Sequence, residues 1–315
     1  MTLPLSPPIK PQLALGRKAL PEDGGWAFEP KYDGFRCLVF VDGDEPYLQS
    51  RGGKPLNRYF PELPGIFPAG RYVLDGEIVV RDGEGREDFG ALGQRVHPAA
   101  SRVAMLAEKT PAAFVAFDLL VADGASLLDA PFSERRAALE ALVADPVELA
   151  PTVTTAGEAE RWLREAEGVI AKRVDAPYRP GDRKGMLKIK RMRTLDAVVV
   201  GWRPGKEAGT VGSLILGLYD GDDLRVVGHT SGLKAKEKRE LVATLAPYET
   251  GERGMGDPSR WANDRELEWV ALRPELVVEV TFDHASNDRI RHGTKLQRWR
   301  EDKAPRECTW DQLNA

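Results

Sequence analysis
Lys31-Tyr32-Asp33-Gly34-Phe35-Arg36 is the stretch that decides how this chain of 315 residues reads. A deprotonated lysine amine can attack the α-phosphate of a nucleoside triphosphate, expel pyrophosphate and hold the nucleotide through a phosphoramide bond. In that setting Asp33 orients the amine, Gly34 lets the backbone approach a ligand closely, and Arg36 offers a forked donor for ribose or phosphate. Lys-x-Asp-Gly arises by chance in roughly one chain in fifteen of this length, so it does not suffice alone. By itself it also reads as a turn at a strand end with a solvated lysine.

Working outward, further stretches follow in order. Leu74-Asp75-Gly76-Glu77-Ile78-Val79-Val80 places acids on a turn entering a β-branched strand, where a carboxylate can meet a ribose hydroxyl or a hydrated metal; a plain hairpin turn is the alternative. Phe114-Val115-Ala116-Phe117-Asp118-Leu119-Leu120 is an apolar run typical of a buried strand, whose Phe117 either stacks on a purine or fills the core. Glu167-Gly168-Val169-Ile170-Ala171-Lys172 sets another acid before a short strand. In Met186-Leu187-Lys188-Ile189-Lys190-Arg191 cations alternate with apolar residues, so a strand would point Lys188 and Lys190 from one face, into a site or from an exposed edge.

This ordered set resembles the covalent nucleotidyltransferase superfamily and, within it, the ATP-dependent DNA ligases, over nearly the whole chain. Ser50-Arg51-Gly52-Gly53-Lys54-Pro55-Leu56 and Arg95-Val96-His97-Pro98-Ala99-Ala100-Ser101-Arg102-Val103 make it most similar to the compact bacterial ligases of the C type, a family tied to strand-break repair. The resemblance implies that Lys31 carries the adenylate and that Glu29 lies where adenine is contacted. It puts Arg36 and Arg51 near ribose and phosphates, Glu77 on the ribose, Phe117 against adenine and Glu167 beside a metal, with Glu77 as a second metal-associated acid. Lys188 and Lys190 match the paired phosphate-binding lysines, and Arg183 falls in a loop that carries a phosphate-side arginine, at a shorter spacing to Lys188 than in many relatives. Arg298-Trp299-Arg300-Glu301-Asp302-Lys303 resembles the last ligase motif, in which Arg300, Asp302 and Lys303 act on the leaving pyrophosphate; alone it reads as a charged, solvated turn.

The function implied is sealing of nicks between a 3′-hydroxyl and a 5′-phosphate, through lysyl-AMP and adenylated DNA, with ATP and Mg²⁺ (Mn²⁺ as a substitute). The implied partner is nicked double-stranded DNA, and a Ku-like end-binding protein or a primase-polymerase is an open possibility. A monomer is expected. An RNA ligase or capping-type guanylyltransferase would use the same lysine, and a degenerate, non-catalytic DNA-binding module is a further alternative. NAD-dependent ligases share Lys-x-Asp-Gly, but their zinc site is not apparent: only Cys37 and Cys308 are present, and four scattered histidines form no metal motif.

The net charge of −4 looks wrong for a nucleic-acid enzyme until its distribution is inspected. From Lys172 to Arg193 nine Lys or Arg face only Asp175 and Asp182, and a second basic cluster spans Arg289 to Arg306. Local fields decide phosphate binding, so strongly salt-dependent DNA affinity is expected. No apolar run approaches a membrane span and no signal-peptide layout opens the chain, which argues for the bacterial cytoplasm, with nucleoid association on DNA.

A hydrophobic content of 42% suffices for two cores. The expected fold is α+β: an adenylation (nucleotidyltransferase) domain, residues 1–193, of antiparallel sheets with flanking helices, followed by a C-terminal OB-fold barrel, residues 194–315. Strands are expected at Cys37–Val41, Val73–Val80, Phe114–Val121 and Gly168–Arg173, with a helix capped by Ser133 and running through Leu142. Beyond the boundary, Asp196–Trp202, Ser213–Tyr219, Leu224–Gly228, Glu268–Leu272 and Leu276–Phe282 read as five strands, with a helix near Lys234–Ala246. Pro204-Gly205 and Asp220-Gly221 supply turns between the first of these strands.

Overall fold
The computed structural model describes residues 3–313 apart from 98, 191, 231, 257–266, 284, 287, 288, 291 and 292. Pro98, Arg191 and Arg291, each within a stretch quoted above, lie outside the described residues. The chain divides into two compact units, Met1–Arg191 and Met192–Ala315. No helix among the described residues is long and apolar enough to cross a membrane.

Two sheets build the N-terminal unit. In chain order its strands are β1 (Leu15–Arg17), β2 (Trp26–Pro30), β3 (Phe35–Gly43), β4 (Tyr47–Ser50), β5 (Gly70–Val80), β6 (Ala112–Ala122), β7 (Ala125–Ser126), β8 (Glu148–Leu149), β9 (Gly168–Arg173) and β10 (Met186–Lys190). Its helices are α1 (Phe89–Gln94), α2 (Ala100–Lys109), α3 (Phe132–Leu142), α4 (Ala156–Ala159) and α5 (Trp162–Glu165). The smaller sheet runs β1-β10-β9-β2 and the larger β4-β3-β5-β6-β7, with β8 beside β6. Pairing is antiparallel except between β1 and β10 and between β6 and β8.

Strand alternation assigns the two faces of each sheet. Odd positions Cys37, Val39 and Val41 of β3 and even positions Leu74, Ile78 and Val80 of β5 join one core, covered by Leu92 of α1 and Leu139 of α3. The opposite face carries Arg36, Asp75 and Glu77. In the smaller sheet Val169, Ala171 and Ile189 pack with Phe28 against Ala159 and Trp162 of α4 and α5, leaving the intervening residues to face the other way.

Several expectations need correction. Asp75-Gly76-Glu77 does not form a turn: it lies inside β5, where a mid-strand Asp75 is tolerated because Arg36 pairs with it. Ser133 does not cap α3. The cap position belongs to Pro131, and the free N–H groups of Phe132 and Ser133 donate to the carbonyls of Ala176 and Val174 instead. The strand bearing Lys188 and Lys190 is not an edge, since β1 covers its far side.

The C-terminal unit contains β11 (Arg193–Pro204), β12 (Val211–Asp220), β13 (Asp223–His229), α6 (Ala235–Leu245), β14 (Glu249–Gly256), β15 (Leu267–Leu272), β16 (Val277–Phe282), β17 (Ala285–Ser286), β18 (Arg289–Ile290) and β19 (Lys295–Trp299). β11 pairs with β12 and β16, β12 with β13, and β16 with β19. A parallel bridge between Thr230 and Thr294 joins the end of β13 to the start of β19 and closes the ring. This five-strand curl is the OB barrel, filled by residues such as Val198, Leu216, Val227, Val278 and Phe282. The expected fourth strand, at Glu268–Leu272, belongs instead to a β14–β15 hairpin on the side of β11, and Lys295–Trp299 supplies the fifth barrel strand. Pro204 ends β11, and Gly221, at φ +60, turns the chain from β12 into β13.

Candidate active site
A cleft between the two sheets of the N-terminal unit is lined by Glu29, Lys31, Arg36, Arg51, Glu77, Phe117, Arg183 and Lys188, all singled out from sequence. Register explains the convergence. Glu29 of β2 and Lys188 of β10 both pair with Ile170 of β9, so the three form one row with their side chains on the same face. Arg36 of β3 lies opposite Glu77 of β5 on the facing sheet. Between β5 and β6 the register jumps from Gly76–Ala116 to Asp75–Asp118, leaving Phe117 as an extra residue whose side chain the bulge turns toward the cleft. Phe117 is also largely buried, against Val79, Val115 and Ala150, as the core reading of this ring expects.

Lys31 sits in the loop joining β2 to β3. Its backbone N–H donates to Gly168 O at 2.9 Å, and its Nζ donates to the Glu167 carboxylate and, at 3.4 Å, to Tyr32 O. Glu167 in turn meets Lys190 Nζ at 2.8 Å, so one carboxylate joins Lys31 to Lys190. Burial pushes the Glu167 carboxyl up, but Lys31 and Lys190 more than offset this and hold it below its ordinary value. Gly34 is wedged against β5: a Cβ there would collide with the Ile78 carbonyl oxygen and the Glu77 side chain. The neighbour that requires glycine is thus protein backbone.

The Arg36 fork is engaged. Its Nε and Nη2 donate to Asp75 at 2.6 Å each, and the Tyr178 hydroxyl donates to the same carboxylate at 2.6 Å while accepting from the Gln12 backbone N–H at 2.8 Å. Its guanidinium carbon stands 4.7 Å from the Phe117 ring centre. Glu77 beside it is pushed up to about 8 by burial, against the opposing pull of Arg36 and Lys31. Lys188 is lowered by burial and then by repulsion from Lys190, Lys31, Arg51 and Arg183. The loop arginines Arg51 and Arg183 are exposed.

Beneath this surface lies a charged cluster that sequence reasoning missed. Lys172 Nζ, only 3% exposed, stands 2.9 Å from Glu29 and 3.8 Å from Asp118, donates to Phe117 O at 2.7 Å, and lies 4.8 Å from the Phe117 ring centre. Arg135 of α3 completes it with bonds of 2.7 and 3.1 Å to Asp118. Burial raises the Glu29 carboxyl, with Lys172 opposing. The available signal was period 2: Ile170 and Lys172 share the cleft face of β9.

In the C-terminal unit Arg300, Asp302 and Lys303 come together around a residue read only as part of a strand, Asp196. Arg300 Nη1 reaches both Asp196 oxygens at 2.8 and 2.9 Å, Lys303 Nζ reaches one at 2.8 Å, and Arg300 also forks onto Asp302 at 2.9 Å. Among the described residues no group of three or more His, Cys, Asp or Glu could hold a metal ion by itself.

Comparison with known proteins agrees with this geometry. The family model described as ATP dependent DNA ligase domain matches residues 13–190, and that of the ATP dependent DNA ligase C terminal region matches 207–303. The chain is 46% identical to DNA ligase C1 of Mycolicibacterium smegmatis, covering 100% of this chain and 96% of that protein. It is 43% identical to DNA ligase C of Mycobacterium tuberculosis, with 99% and 96% covered. The solved ligase domain of M. tuberculosis LigD is 30% identical with a TM-score of 0.53, covering 96% of this chain and 98% of that one. A mycobacterial ligase D complexed with ATP is likewise 30% identical, at 0.51, with the same coverage. The sheets, the OB barrel and these matches agree: the chain belongs to the ATP-dependent DNA ligases.

Proposed function
We propose that Lys31 is the residue adenylated by ATP and that the enzyme seals nicked duplex DNA by three successive transfers in the cleft of the N-terminal unit. In the first, Lys31 Nζ attacks the α-phosphorus of ATP. A P–N bond forms as the bond to the β-phosphate oxygen breaks, and pyrophosphate leaves. In the second, an oxygen of the 5′-phosphate at the nick attacks the same phosphorus and frees Lys31. In the third, the 3′-hydroxyl attacks the activated 5′-phosphate and AMP departs.

The observation that carries this reading is the contact of Lys31 Nζ with Glu167, itself bridged to Lys190, in a cleft that also gathers Lys188, Arg51 and Arg183. Glu167, held below its ordinary value, is a poor proton acceptor, so its part is to orient the amine. Lys188, Lys190, Arg51 and Arg183 would neutralise phosphate charge, Glu77 would accept from a ribose hydroxyl, and Phe117 and Glu29 would face the adenine. Arg36, fixed by Asp75, would buttress the Phe117 side of the site. Arg300, Asp302 and Lys303 are assigned to the leaving pyrophosphate of the first transfer.

Mg²⁺ fits this donor set as an ion that keeps waters and takes most ligands from substrate phosphates, with Glu167 as the ionised carboxylate. It would supply charge neutralisation at the phosphates. Glu77, pushed up to about 8, is largely protonated at neutral pH and is the weaker metal-associated group. The cellular setting proposed is strand-break repair in the bacterial cytoplasm, with a DNA end-binding protein or primase-polymerase as partner.

Incubation with α-labelled ATP, Mg²⁺ and a nicked duplex, comparing wild type with Lys31→Ala, tests the reading. Labelled protein and sealed strand should both vanish in the variant; a variant that still takes label would remove Lys31 from the first step.

A further inference from the structure
We propose that Glu87 is a positioning residue for the nucleophile, resting on the reading of Lys31 as the adenylated lysine. Glu87 lies 54 residues from the loop it touches, yet its Oε2 accepts the Asp33 backbone N–H at 2.6 Å. The Lys31–Gly34 loop therefore has three anchors from three parts of the chain. Gly168 O holds the Lys31 N–H, Glu87 holds the Asp33 N–H, and the β5 backbone crowds Gly34. Lys31 is held at the first of these, and only Tyr32 separates it from the second.

The Glu87 backbone is itself firmly placed. Asp82 Oδ1 accepts the N–H groups of Glu84 and Arg86 at 2.9 Å each, Arg81 and Glu87 pair across the resulting turn, and the following Asp88 N–H returns to Val80 O at 2.8 Å. Arg81 is fixed in turn by two hydrogen bonds that it donates to the Glu148 carboxylate, at 2.6 and 2.8 Å. A half-buried carboxylate here must overcome desolvation and the proximity of Asp33 and Glu167. The backbone N–H it accepts and the nearby Arg81 charge oppose these, and the geometric effect of the N–H bond is to hold the peptide two residues beyond the attacking lysine. In-line attack tolerates little misplacement of Nζ: displacement of about 1 Å costs on the order of a hundredfold in rate.

The test is single-turnover labelling of the full chain with α-labelled ATP and Mg²⁺ for Glu87→Ala, Glu87→Asp and Glu87→Gln. Gln keeps an acceptor oxygen at the same reach without the charge; Asp keeps the charge but withdraws the oxygen by one methylene. The expected pattern is adenylation at saturating ATP slowed roughly ten- to hundredfold in Ala and Asp and within about threefold of wild type in Gln, with KM for ATP changed less than about twofold. Should Ala misfold, the contrast between Asp and Gln carries the same information. A wild-type rate in Asp, a Gln variant as slow as Asp, or a loss confined to KM would overturn the proposal. Absence of label in the wild type would overturn the reading of Lys31 and this one with it.

Discussion

Replacing Lys172 by methionine strands a carboxylate in the wall of the cleft, and the neighbours of Lys172 set the size of the effect. Its Nζ is shared between Glu29 at 2.9 Å and Asp118 at 3.8 Å, all three side chains being at most 3% exposed. Asp118 keeps two bonds from Arg135, at 2.7 and 3.1 Å, so it survives the loss. Glu29 does not: its remaining partners are Arg136 at 3.7 Å and the Thr152 hydroxyl at 3.4 Å. Breaking one buried pair and leaving its partner charged costs about 3–5 kcal/mol, whereas removing both charges costs far less. For a unit of this size that lowers Tm by roughly 6–20 °C. Because two units can unfold separately, calorimetry that resolves their transitions is the appropriate measurement, together with Glu29→Gln and the double variant. Lys172→Met should lower the N-terminal transition by this amount, and Glu29→Gln added to it should recover half or more. A Lys172→Met shift below about 1 kcal/mol, or additive losses in the double variant, would refute the assignment of the cost to an orphaned Glu29.

Three further outcomes follow from the same contacts. Glu77 is raised from 4.5 to about 8 in the folded chain, so the folded state holds this proton more tightly and stability is lost as pH rises through that window. Glu77→Gln should flatten that part of the stability–pH profile measured by urea unfolding, and an unchanged slope would contradict the burial of Glu77. Gly34→Ala drives a methyl into the Ile78 carbonyl; adenylation should fall at least tenfold, by roughly the displacement argument that applies to Lys31, and a fully active variant would show that the loop is not held against β5. Asp196→Asn removes the carboxylate charge that Arg300 and Lys303 share. It should slow lysine adenylation several-fold while sparing the sealing of a pre-adenylated nick, and equal effects on both steps would detach Asp196 from the pyrophosphate-releasing transfer.

Lys31, Lys188 and Lys190 were legible because local sequence carried its own signals there, whereas Glu29, Arg51 and Arg183 were placed only through the family resemblance. Lys188 and Lys190 alternate with apolar Leu187 and Ile189, which fixes their common face once a strand is granted, and Lys31 is flanked by the turn-forming Asp33-Gly34. The residues that were not legible gain their meaning from register across long separations. Tyr178 reaches Asp75 across 103 residues, Arg300 reaches Asp196 across 104, and Glu87 reaches Asp33 across 54. Nothing within ten residues of any of these marks the partner. Asp75-Gly76-Glu77 misled in a related way: acid and glycine are turn residues locally, and only the Arg36 fork on the neighbouring strand makes a buried aspartate compatible with a strand interior. Lys295–Trp299 was read for its charges because it meets a cationic motif, while the pattern that makes it a barrel strand alternates against β16, whose pairing no local signal announces.

The cations of the cleft fall into two groups by what holds them, and the division bears on how a triphosphate is recognised. Arg36 and Lys172 are locked onto buried carboxylates and cannot turn to a ligand without leaving Asp75 or Glu29 exposed to the same penalty that Lys172→Met would reveal. Their contribution is rigidity: Arg36 lies 4.7 Å and Lys172 4.8 Å from the Phe117 ring centre, and both are held in place by their carboxylates. Lys188, by contrast, is depressed by burial and by repulsion from Lys190, Lys31, Arg51 and Arg183, a cluster of like charge that a polyanion relieves on arrival. Phosphate binding should therefore raise the Lys188 pKa and draw a proton into the cleft as pH rises toward that of the free amine. The observable is a buffer-dependent heat of nucleotide binding at alkaline pH, measured by titration calorimetry in buffers of different ionisation enthalpy. It should disappear in Lys188→Met and persist in Lys172→Met wherever that variant folds. Equal proton uptake in Lys188→Met and wild type would assign the recognition to the locked cations instead.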